Sequence, residues 1–170
     1  MGGLARGILD QYSDLDIVVL LSERNPKLKV ELEAMGREES ERLGVDIDLE
    51  VHSLRGFERL KRDDNRRWEC SLAEVVYDKD GRTADLLARI VHVPDTFWTD
   101  RIVGDWAYFQ WQVANPDAPK SVAEICMERG DRAGAHYSVN YGVDILVELL
   151  YALNREFLPP PKWRMTRLKG

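Results

Sequence analysis

Cysteine and histidine are scarce in this 170-residue chain, which holds two of the first and three of the second. Cys70 and Cys126 are too few for a disulfide framework, so buried or free thiols are expected. His52, His92 and His136 are scattered without metal-ligand spacing, which leaves no zinc site to expect. No apolar run reaches the roughly 20 residues that cross a bilayer. With no basic-then-apolar leader either, the expected location is the cytoplasm, with no membrane partner. Positive charge is also short: 24 Lys and Arg stand against 30 Asp and Glu, a net charge of −6. That balance argues against general coating of nucleic acid, which wants a basic surface. A nucleotide substrate stays open, because metal ions neutralise phosphates locally. No internal repeat and no low-complexity tract is present. What remains, 44% apolar and 32% charged, describes a folded globular chain. Its length suits one full core, or a compact α/β unit with a helical appendage.

The chemistry concentrates at the start. Gly2 and Gly3 offer a turn at which backbone N–H groups can approach a phosphate, because no Cβ stands in the way. After ten intervening residues comes Asp14-Leu15-Asp16-Ile17, opening an apolar run that ends at Leu21. In a strand, residues i and i+2 share a face, so Asp14 and Asp16 would project together. Paired carboxylates repel unless a cation lies between them, and hard Mg²⁺ prefers such oxygens. A phosphate cradle beside a paired-aspartate metal site implies an enzyme acting on nucleoside triphosphates.

The stretch from Gly2 through Ala5-Arg6-Gly7 to Ser13-Asp14-Leu15-Asp16 resembles the active-site motif of the polymerase-beta-like nucleotidyltransferase superfamily. It is similar to the small bacterial and archaeal members. A second segment, Leu149 to Trp163, resembles the C-terminal helix and following loop of aminoglycoside-type members. The resemblance implies an α/β (α+β) architecture: a small mixed-sheet catalytic domain over residues 1–93, then a helical substrate-binding region over 94–170. It also implies a helix and strand ahead of the glycine turn. The chain starts at the turn itself, so an N-terminally shortened domain with an open sheet edge is expected, with homo-oligomerisation through that edge.

Transfer of a nucleoside monophosphate uses two metal ions, and a third carboxylate usually assists. The segment Val45–Val51 alternates apolar and acidic residues with period two and offers Asp46, Asp48 and Glu50 on one face. Asp48, at its centre, is the first choice, followed by Asp46 and Glu50. Asp14, Asp16 and Asp48 are thus the expected catalytic residues and ligands of two Mg²⁺ ions. ATP or another nucleoside triphosphate is the expected donor, and AMP transfer to a hydroxyl on a small molecule or macromolecule the expected reaction. Gly2 and Gly3 would position the triphosphate. Ser13 orients the loop or contacts ligand; Arg6 reaches phosphate or is solvated; Lys162 contacts phosphate or is an exposed lysine behind a proline stop. The alternative is a non-catalytic, nucleotide-binding regulatory module of toxin–antitoxin type that retains the motif.

Periodicity places strands at 14–21, 45–51 and 74–78. Helices are expected at 27–43, from Ser53 to about 62, around 68–74, at 83–91, and in long segments over 96–113, 121–130 and 132–154. Gly44 fits a helix terminus, and Pro159-Pro160-Pro161 a stop. Trp98, Trp106, Tyr108, Phe109 and Trp111 crowd one helix, as core or as a stacking surface.

Overall fold

The computed structural model describes residues 14–117 and 120–168. The chain divides into two compact units between His92 and Val93.

The first unit is built on a βαβ crossover. Strand β1 (Leu15–Leu21) leads through a break into helix α1 (Pro26–Leu43) and back into strand β2 (Ile47–Ser53). Among the described residues these two strands form the sheet, paired in parallel. Local chemistry sets the ends of α1. Asn25 Oδ1 accepts the Leu28 N–H at 3.1 Å, and Pro26, which has no N–H to satisfy, occupies the first turn. Gly44 closes the helix at φ 66°, a left-handed conformation that costs glycine nothing. A Cβ at Gly36 would stand 3.0 Å from Leu49 Cβ, so glycine lets α1 lie close against β2.

Three further helices cover the other face: α2 (Leu54–Glu58), α3 (Asp64–Ser71) and α4 (Arg82–Val91). Their core gathers Phe57, Cys70, Leu86 and Ile90, with Val18 and Leu20 of β1 packed against it. Arg67 ties α3 to α4 by donating from Nη1 to the Ile90 carbonyl. Burial pushes the Cys70 thiol up to about 11, so it behaves as a small apolar side chain and not as a nucleophile.

The second unit is helical: α5 (Asp95–Val113), α6 (Val122–Glu128), α7 (Arg132–Leu153) and α8 (Pro161–Arg167). Helix α7 buries Ala135, Ser138, Gly142, Ile145, Leu149 and Ala152, a stripe at helical spacing. Ser121 and Glu124 form a reciprocal capping box at the start of α6. The Tyr151 hydroxyl donates to the Arg164 carbonyl at 2.7 Å and holds α8 onto α7. Of the aromatic residues on α5, Trp98 is buried against Phe157 at 5.2 Å. Trp106, Tyr108 and Trp111 are instead half-exposed and stack along the helix, Trp106 on Phe109 and Tyr108 on Trp111.

Several expectations change. No strand forms over 74–78: Val76 is 91% and Tyr77 81% exposed, and the segment pairs with neither β1 nor β2. Asp78 instead turns a carboxylate oxygen to the Ala84 N–H at 2.9 Å, at the head of α4. The acidic strand runs two residues later than its alternation suggests. Ser40 Oγ donates to the Val45 carbonyl at 2.7 Å and holds that residue to the end of α1. The helix opening at Ser53 ends at Glu58, and the next begins at Asp64, capped by Asp63 Oδ1. The proline run is not the stop of α7. That helix ends at Leu153, where Asn154 Nδ2 donates to the Leu150 carbonyl at 2.8 Å and Arg155 turns to φ 56°. Pro161 then opens α8.

Candidate active site

The parallel register pairs Asp16 directly with Asp48, and Val18 with Glu50. Adjoining strands run about 4.8 Å apart and alternate residues share a face. Asp16, Asp48 and Glu50 therefore lie on one face, at the amino end of the ribbon. Further along β1 the same face carries Val18 and Leu20, which are packed into the core with α2 and α4. One face thus changes from acidic to apolar along its length, and the covering helices leave the acidic end open.

The opening is a cleft of about 190 Å³ lined by Asp16, Asp48, Glu50, Arg66 and Glu69, with Ile17 and Val18. Helix α3 supplies the two residues that the sequence reading passed over. Asp63 caps its first turn by accepting the Arg66 N–H at 3.1 Å. Arg66 and Glu69 then stand one turn apart, with Arg66 Nη1 3.6 Å from Glu69 Oε2. The Arg66 guanidinium also lies 5.2 Å from the centre of the Phe57 ring, so the core below steadies it. A helix-capping Asp followed by Arg and Glu three residues apart was the available signal.

The carboxylates differ in their engagement. Glu50 Oε2 accepts from His52 Nε2 at 2.9 Å, and the His52 ring packs edge-on against Phe57 at 5.6 Å. No ion pair among the described residues engages Asp48. Asp14 stands immediately before β1, two residues from Asp16, and is not among the residues that line the cleft. Asp46 precedes β2, where its carbonyl accepts the Leu15 N–H at 2.8 Å. Among the described residues no three His, Cys, Asp or Glu side chains stand together closely enough to hold one ion. The structure therefore brings Asp16 and Asp48 together, with Glu50 beside them, and does not add Asp14 to that group.

Gly2, Gly3, Arg6 and Ser13 lie outside the described residues. Lys162 belongs to the second unit, on α8, with its ammonium 5.7 Å from the centre of the Trp163 ring.

Two family models match the chain. One, described as a domain of unknown function (DUF4037), covers residues 61–164, more than half the length. The chain belongs to the DUF4037 family. The other, described as a nucleotidyltransferase domain, covers residues 1–67 and so takes in both strands, Asp14, Asp16, Asp48 and Arg66. Residues 1–67 are thus a nucleotidyltransferase domain, in agreement with the resemblance carried by the glycine and aspartate motif. The DUF4037 match starts just before α3, contributes Glu69 to the cleft, and runs across the division at His92 into α8. No curated protein and no solved structure matches the chain. Among the described residues no helix is long and apolar enough to cross a membrane.

Proposed function

We propose that this chain transfers a nucleoside monophosphate, AMP from ATP, to a hydroxyl acceptor in a magnesium-dependent reaction. The observation that supports it most is the direct register pairing of Asp16 with Asp48 in an open cleft, inside the stretch matched as a nucleotidyltransferase domain. Carboxylate oxygens are the donors that hard Mg²⁺ takes, and Mg²⁺ is commonly held by only one or two protein carboxylates, with waters and substrate phosphates completing its shell. A two-carboxylate site therefore fits the ion. Asp16 and Asp48 would hold it. Bound there, Mg²⁺ supplies charge neutralisation on the phosphates and acidifies the acceptor hydroxyl.

The chain's own residues divide the remaining work. Asp48 receives the acceptor's proton or completes the ligand set. The acceptor oxygen forms its bond to the α-phosphorus while the bond to the β-phosphate oxygen breaks, and pyrophosphate leaves. Arg66 is the cation among the described residues lining the cleft and faces the charge that builds on the phosphates; its planar donor fork suits phosphate oxygens. Gly2 and Gly3, with Ser13 and Arg6, receive the triphosphate tail. The acceptor is a cationic small molecule in preference to bulk RNA, given the net charge of −6.

Pyrophosphate release from ATP, measured with a panel of aminoglycoside, RNA and protein acceptors, tests the reading. Release that needs Mg²⁺ and disappears in Asp16→Asn and Asp48→Asn supports it. ATP binding with no release from any acceptor overturns it.

A further inference from the structure

The carboxyl end of the same two strands has the opposite character. A second cleft, of about 500 Å³, opens there, and Arg24, Lys29, His52, Arg55 and Arg59 are among its lining residues. None of the described residues lining it is Asp or Glu. Arg24 comes from the break between β1 and α1, Arg55 from α2, and Arg59 from the residue that closes α2. Lys29 is held by Glu33 at 3.3 Å, and His52 by Glu50. Arg24, Arg55 and Arg59 have no ion-pair partner among the described residues.

Acids outnumber bases in this chain, so three guanidinium groups around one concavity, without ion-pair partners among the described residues, run against its composition. Such groups repel one another until an anion is received, and their planar forks match phosphate oxygens. The volume is that of a small-molecule pocket, and the net charge of −6 disfavours a long nucleic acid. The amino end of α1 adds little, since Pro26 has no N–H and Asn25 already caps Leu28. The two clefts share no described lining residue, although Glu50 of the acidic one and His52 of this one are neighbours on β2. Asp16 and Leu21, five residues apart on β1, are separated by about 16 Å at about 3.3 Å per residue.

The geometry points to an oligophosphate site at this end of the sheet, distinct from the acidic cleft, in which Arg24, Arg55 and Arg59 hold a small ligand with two or more adjoining phosphates. Free pyrophosphate and the phosphate chain of a nucleotide share that chemistry.

Calorimetry on the full chain in EDTA, which removes any metal-dependent binding at the acidic cleft, tests the site with pyrophosphate, ATP and adenosine as probes. Pyrophosphate and ATP should bind, more weakly as salt is raised, and adenosine should not. The Arg24→Ala/Arg55→Ala/Arg59→Ala variant should bind pyrophosphate at least about tenfold more weakly, with an unchanged circular dichroism spectrum. Should that variant not fold, the single Arg→Gln variants serve, each expected to weaken binding about threefold. Asp16→Asn/Asp48→Asn should bind as the natural chain does, whether or not it has lost transfer activity. Equal affinity for pyrophosphate and ATP assigns the phosphates alone, and tighter ATP assigns a nucleotide; both support the site. No pyrophosphate binding, binding unchanged in the arginine variants, or binding lost in the aspartate variant overturns it.

Discussion

The two ends of the β1–β2 ribbon share strands, register and core, yet one end gathers carboxylates and the other guanidinium groups. Between them lies the part that packing dictates: Val18 and Leu20 against the helical core on one face, and Leu49 against Gly36 of α1 on the other. Val51, at the centre, is 2% exposed. A middle held this firmly fixes the register, because a slip of one residue would turn the apolar set to water. The ends then answer to chemistry in place of packing. A charge tolerated there would be costly at Val51, where a buried carboxylate would need a partner.

The comparison breaks most completely if its shared middle is removed. Phe57 is 2% exposed, sits in the core, and touches both His52 and Arg66. Phe57→Ala should cost about 3–5 kcal/mol in urea unfolding, and should weaken both clefts together. A variant that loses one cleft and keeps the other at full stability would show that the two ends do not depend on one core.

Asp16→Asn and Asp48→Asn sharpen the contrast by silencing one end alone. Each should lower transfer about 100-fold or more, about 2.7 kcal/mol in barrier. Stability should change by less than about 0.5 kcal/mol, since neither residue packs in the core. Arg66→Ala should have a smaller effect, about tenfold, read chiefly in KM for the nucleotide, with partial rescue in Arg66→Lys. An unchanged KM would remove Arg66 from the phosphates.

Smaller still is Asn25→Ala at the basic end, which removes the α1 cap and should cost about 1 kcal/mol by thermal unfolding. Finally, Cys70 lies in the shared core, with burial raising its thiol from an ordinary 9.0 to about 11. A raised value in the folded state favours the neutral thiol, so its contribution is full below pH 9 and is lost as pH rises towards 11. At pH 8 the folded chain should alkylate at the partly exposed Cys126 and spare Cys70, as mass spectrometry would read.

Much of the first unit was legible from local pattern. Asn25-Pro26 and Gly44 mark α1 because capping and left-handed closure depend on neighbouring residues alone. The alternation after Gly44 announced an acidic strand for the same reason, and Asp48 sits on it. The misreadings share a cause. Val75-Val76-Tyr77 has strand composition but pairs with neither β1 nor β2, and the proline run has breaker composition but comes after α7 has already closed. Propensity describes what a segment tolerates; pairing is supplied from elsewhere in the chain.

By itself the sequence determined the two acidic segments, the helix ends between them and the glycine–aspartate motif of a nucleotidyltransferase domain, since each is a matter of spacing along a few residues. Tertiary structure alone decided that Asp16 would face Asp48, that α3 would bring Arg66 and Glu69 to the same opening, and that Arg24, Arg55 and Arg59 would surround another. Register and helix docking are set by how apolar surfaces far apart in the chain are buried together, and no local spacing encodes that distance.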